Sequence, residues 1–80
     1  MTSTDRRTAA VLAIASVRAA CTNGRCAQVR TAAGLSQRDL AGAVGVHAAT
    51  LSRWEGGTRA PHGQAAIRLA AVLDALEQLP

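Results

Sequence analysis

The sequence is short of aromatic and acidic residues. It has no Phe and no Tyr, and Trp54 is its one aromatic. A platform for single-stranded nucleic acid stacks bases on several aromatic rings, so that class is excluded. A β-sandwich or barrel is excluded too, because strands favour β-branched and aromatic residues. Cysteine is limited to Cys21 and Cys26, too few for a disulfide scaffold or a zinc site. No apolar run approaches the length that spans a bilayer. The Met1–Arg7 start lacks the uninterrupted apolar core of a secretory signal. A cytoplasmic location is therefore expected.

Lysine is absent as well, yet nine arginines face five acids, for a formal charge of +4 and a pI of about 11.1. Such a balance fits a polyanionic partner, and it fits a merely solvated basic face equally. Alanine fills nineteen positions, and with leucine and arginine it favours helix. One all-α domain over residues 1–80 is expected. The five acids are scattered, and no Ser/His/Asp or Cys/His set has a context for nucleophilic catalysis. His47 and His62 stand far apart with no ligand cluster around them. Neither an enzyme, a metal site nor a cofactor is expected.

Residues 1–4 are polar and read as a frayed tail. Ser3, Thr4 and Asp5 offer N-cap oxygens. Ala10, Ile14, Val17 and Cys21 recur at helical spacing, which predicts a helix over 5–20. Asn23 and Gly24 stop it, since both tolerate left-handed geometry. Cys21 and Cys26 flank that turn on apolar faces and read as small buried hydrophobes, with a bond across the turn or a redox switch as the other reading. A second helix is predicted over 25–33, closed by Gly34. Ser36 and Asp39 form a capping-box pattern at the start of a third. A fourth helix carries Leu51 and Trp54 inward and stops at Gly56-Gly57. The last runs from about His62 to Gln78. Its apolar residues, Ala66, Leu69, Ala70, Val72, Leu73, Leu76 and Leu79, cover more than one core-facing stripe requires. The surplus points to a partner subunit meeting Val72, Leu76 and Leu79.

The informative stretch is 37–56. A helix-turn-helix needs a small residue where its helices touch, a residue that permits positive φ in the turn, and apolar residues locking both inner faces. Ala41, Gly45 and the set Leu40, Val44, Val46, Leu51 and Trp54 meet all three needs at fixed offsets. A plain helical hairpin matches only some of them by chance.

With Gly34-Leu35-Ser36-Gln37-Arg38-Asp39-Leu40-Ala41, then Val44-Gly45-Val46, then Thr50-Leu51-Ser52-Arg53-Trp54-Glu55-Gly56-Gly57, then Pro61 and Leu69-Ala70, the chain resembles the lambda-repressor-like, or XRE-type, helix-turn-helix family. The resemblance covers about Arg25 to Leu76. It implies a compact bundle of five helices, here with an added helix ahead of the family core. It also implies a DNA-binding regulator, most simply a repressor of the phage Cro-like or small immunity type.

In such proteins the second helix of the motif enters the major groove. The outward face here comprises His47, Ala48, Ala49, Thr50, Ser52 and Arg53, and these are the expected base contacts. Arg53 suits a bidentate contact to guanine, and the alanines suit a thymine methyl. A polar residue is common in the family where Ala48 and Ala49 stand, so readout leans on the other side chains and on DNA shape. Phosphate contacts are expected from Gln37 and Arg38 at a helix start and from Thr58 and Arg59 in the following loop. Carried over from the family, Arg30 and Glu55 form a largely buried structural ion pair. The expected partners are double-stranded DNA and a second copy of the chain on a two-fold operator. An antitoxin-type regulator holding a toxin through the added helix, or an interaction module that has lost DNA binding, are the alternatives.

Overall fold

Asp5 starts the first helix by accepting a hydrogen bond from the Thr8 backbone N–H at 2.8 Å. Its charge also suits the positive end of a helix dipole. The computed structural model describes residues 5–80. The expected frayed tail at 1–4, with the cap candidates Ser3 and Thr4, lies outside the described residues. Among those described there are five helices and no strand: α1 (Arg6–Thr22), α2 (Arg25–Ala32), α3 (Gln37–Val44), α4 (Ala48–Glu55) and α5 (Gly63–Glu77). The bundle is all-α, as the sequence implied. α1 runs two residues past the predicted end, because Cys21 still belongs to its buried face. Gly24, at φ 85°, then turns the chain into α2.

One core unites the five helices. Val17, Ala20 and Cys21 come from α1, Cys26 from α2, Leu40, Ala41 and Val44 from α3, Leu51 and Trp54 from α4, and Ala66, Leu69 and Leu73 from α5. Leu40, Leu51, Leu69 and Leu73 have no exposed surface. Burying each such side chain is worth about 1.5–3 kcal/mol. Ala41 is buried where α3 meets α4, so its small size permits the close approach.

The added helix α1 packs mainly on α5. This accounts for part of the wide apolar arc of α5 and leaves the C-terminal end of that arc open. Val72, expected at a dimer interface, packs against the protein's own core. Leu76 is half-buried, and only Leu79 of the three stands open, at 62% exposure. α1 also reaches the loop after α4: Arg18 Nε donates to the Pro61 carbonyl oxygen at 2.8 Å. Pro61 itself is fully buried. Among the described residues no helix is long and apolar enough to cross a membrane.

The turn between α3 and α4 rests on Gly45, at φ 87° and ψ 32°. Its N–H and that of Val46 both donate to the Ala41 carbonyl, at 2.8 and 3.0 Å. Only glycine occupies this left-handed region without steric cost. Gly45→Ala is therefore expected to lower stability by about 1–2 kcal/mol, read as a shift in the urea unfolding midpoint at unchanged slope.

Candidate nucleic-acid interface

The α3 start is fixed by reciprocal hydrogen bonds. The Asp39 N–H donates to Ser36 Oγ at 3.0 Å, and the Ser36 N–H donates to Asp39 Oδ2 at 2.9 Å. This is the capping box that the sequence pattern predicts. Arg38 stands exposed beside it. Gln37 is half-buried and faces inward: its Nε2 donates to Glu55 Oε1 at 2.9 Å. The side chain expected to grip phosphate thus has one amide hydrogen committed within the protein.

α4 follows the Gly45 turn. His47 is its N-cap but supplies no side-chain bond to the first turn. His47, Ala49, Ser52 and Arg53 are exposed, and Thr50 is half-buried at the edge of that face. Ala48 differs from expectation, because its methyl packs against the core. It begins the helix where the chain has just turned inward from Val46, so little of it is left for a base. The outward face of α4 carries no carboxylate, since its one acid, Glu55, is engaged on the inner side.

After α4 the chain folds back on itself. The Thr58 and Arg59 N–H groups donate to the Arg53 carbonyl at 3.0 and 3.3 Å. This bonding brings the Arg59 backbone alongside the last turn of α4. Thr50, Arg53, Trp54, Arg59, Ala60 and His62 then line a cleft of about 360 Å³. The sequence separates Arg53 from His62 by nine positions, and only the loop closure joins them.

Behind this surface lies a buried polar network. Arg30 Nε is 2.8 Å from Glu55 Oε2, and Arg30 Nη2 donates to Oε1 at 3.0 Å, a bidentate arrangement. Arg30 Nη1 donates to the Leu35 carbonyl at 2.8 Å. The two side chains are 13% and 5% exposed. Cys26 Sγ lies 3.8 Å from Glu55 Oε2, so the carboxylate is approached from α2 and from α3 at once. The parts played by Gln37 and Cys26 had no sequence signal, for their apolar or helix-start positions have ordinary local explanations.

Burial acts to raise the Glu55 carboxyl, but the hydrogen bonds from Arg30 and Gln37, the Arg30 charge and the Cys26 contact outweigh it and hold it below the ordinary 4.5. The hydrogen bond to Glu55 raises Arg30 in turn. The Cys26 thiol is pushed up by its hydrogen bond with Cys21 and by burial, so it stays protonated.

Removing Glu55 strands a guanidinium that keeps only slight contact with water. Glu55→Ala is expected to cost about 3 kcal/mol of stability, at the lower end for a buried pair. A carboxylate whose folded value is depressed contributes stability that is present above its unfolded value and lost as pH falls through the folded one. Wild type and variant should therefore converge in urea unfolding as pH drops below 4.5.

A family model described as helix-turn-helix matches residues 27–77, well over half of the chain, and α1 lies ahead of that stretch. No curated protein and no solved structure matched the chain. With the turn at Gly45, the two helices around it and the match spanning both, the chain belongs to the lambda-repressor-like, XRE-type helix-turn-helix family, a family of DNA-binding regulators.

Proposed function

We propose that this chain is a sequence-specific regulator of double-stranded DNA, a repressor that occupies a palindromic operator as a homodimer. The observation that carries the reading is the outward face of α4: exposed His47, Ala49, Ser52 and Arg53, free of carboxylates, standing beside a loop with Arg59. A major groove admits a helix of this kind and presents its hydrogen-bond code there. Arg53 pairs with guanine, Thr50 and Ser52 meet bases or sugar-phosphate, and Ala49 meets a thymine methyl. Arg38, Thr58 and Arg59 hold the backbone and set the register. With Ala48 turned inward, direct readout rests on few side chains, and DNA shape supplies the remainder.

The dimer forms through the C-terminal end of α5, where Leu76 borders an open groove with Val29, Ala32 and Leu79. Two copies so joined present their α4 helices to half-sites one helical turn apart, about 34 Å. A second reading is favoured by Val11 and Leu12, which are 64% and 59% exposed on α1. They offer a protein partner a surface separate from α4, the arrangement of an antitoxin-type regulator.

Selection of bound duplexes from a random pool tests the main reading. An inverted repeat should be enriched, and sedimentation should show two copies per site. Arg53→Ala should cost about 1–3 kcal/mol on the selected site and relax base preference at one position, whereas Arg59→Ala should weaken all duplexes alike. A pool that shows no enrichment would remove the sequence-specific reading.

A further inference from the structure

Cys21 and Cys26 are free thiols in the core that the exposed face of α4 does not use. Cys21 belongs to the buried face of α1 near its end, and Cys26 to the first turn of α2. The stretch between them is the turn around Gly24, at φ 85°, where the space a Cβ would take is open. Asn23 Oδ1 accepts from the Arg25 N–H at 2.9 Å and holds that turn closed. Across it the Cys26 thiol donates a hydrogen bond to the Cys21 sulfur. Cys26 Sγ also lies 3.8 Å from Glu55 Oε2, so its one hydrogen stands between two acceptors. The bond from Cys26 holds Cys21 below the ordinary thiol value against the effect of burial, and it keeps Cys26 protonated. One sulfur is thereby the better nucleophile, and its neighbour keeps a hydrogen to give up.

We propose that Cys21 and Cys26 are a redox pair that a small hydroperoxide converts to a reversible disulfide, and that this bond loosens the hold on Glu55 and weakens DNA binding by α4. The second half rests on the reading above that α4 binds DNA. The Cys21 thiolate attacks one oxygen of hydrogen peroxide and the O–O bond breaks. Hydroxide leaves, takes up the Cys21 proton and becomes water, and Cys21 is a sulfenic acid. Cys26 Sγ then attacks Cys21 Sγ, the S–O bond breaks, and the hydroxyl leaves with the Cys26 hydrogen as a second water. Two thiols have lost two electrons and two protons, and one peroxide has become two waters. Cys21 is 4% exposed and Cys26 has no exposed surface, so a small oxidant is the kind that reaches them. A disulfide sets its sulfurs about 2.05 Å apart, closer than any hydrogen bond between thiols. Cys26 therefore moves toward α1 and no longer offers Glu55 an S–H. Arg30 lies one turn further along the same face of α2, so that movement reaches the bidentate pair that holds the last residue of α4.

The test treats the folded chain with hydrogen peroxide and follows both the thiols and the DNA. A peptide map should show Cys21 joined to Cys26 within one chain, and it separates this change from oxidation of Met1. In Cys26→Ala, dimedone should capture Cys21 as a sulfenic acid, whereas Cys26 of Cys21→Ala should stay a thiol. Affinity of the wild type for its selected duplex should fall about tenfold, a usual size for coupling between two sites, and return with dithiothreitol. Cys21→Ala should bind equally before and after peroxide. Both thiols still free in the treated wild type, or bonds formed only between chains, would overturn the redox pair. An intramolecular disulfide with unchanged DNA affinity would overturn its link to α4. Failure of the reduced chain to bind any duplex would overturn the DNA reading, and the peptide map would still decide the thiol pair.

Discussion

The Arg30–Glu55 ion pair is the constraint on which the recognition surface depends. It joins the last turn of α2 to the last residue of α4, and through Gln37 it also takes in the first residue of α3. Three short helices of eight residues each are marginal by themselves. Apolar contacts at Leu40, Ala41, Val44 and Leu51 bring α3 and α4 together, yet such contacts are non-directional. A bidentate guanidinium–carboxylate pair is directional. It fixes the angle at which α4 leaves the bundle, and with it where the loop after Glu55 begins. The pair has all its polar atoms matched, and among the described residues no buried side-chain polar atom lacks a partner.

The added helix takes part in the same purpose from the other side. α1 packs on α5 and sends Val17, Ala20 and Cys21 into the shared core, and its Arg18 holds the Pro61 carbonyl. The loop that carries Arg59 and His62 is thereby bounded by α4 before it and by α1 beneath it. A long exposed connection would leave those side chains scattered over many positions. Fixing it concentrates positive charge in one cleft, where the entropy of arranging the donors has been spent in folding.

Much of this was legible in the sequence, and the reason differs by element. The capping box at Ser36 and Asp39 and the turn at Gly45 follow from local chemistry, so pattern alone locates them. Arg30 and Glu55 lie twenty-five residues apart, and only resemblance to a family paired them. The helix boundaries fell within two residues because Gly24, Gly34 and Gly57 end or turn segments by their own conformational freedom. What sequence could not show was tertiary. Ala48 looks like a member of an exposed face until the core claims its methyl. Gln37 looks like a free amide at a helix start until Glu55 binds it. α1 takes up part of the apolar surplus on α5, and no periodicity in α5 shows that α1 will lie across it.

The central claim is that the outward face of α4 occupies the major groove, and methylation protection with dimethyl sulfate tests it directly. The reagent attacks guanine N7, an atom that lies in that groove. The account predicts guanines within the bound site that become protected when the protein is added. A bound complex in which every guanine N7 stays as reactive as in free DNA would contradict it.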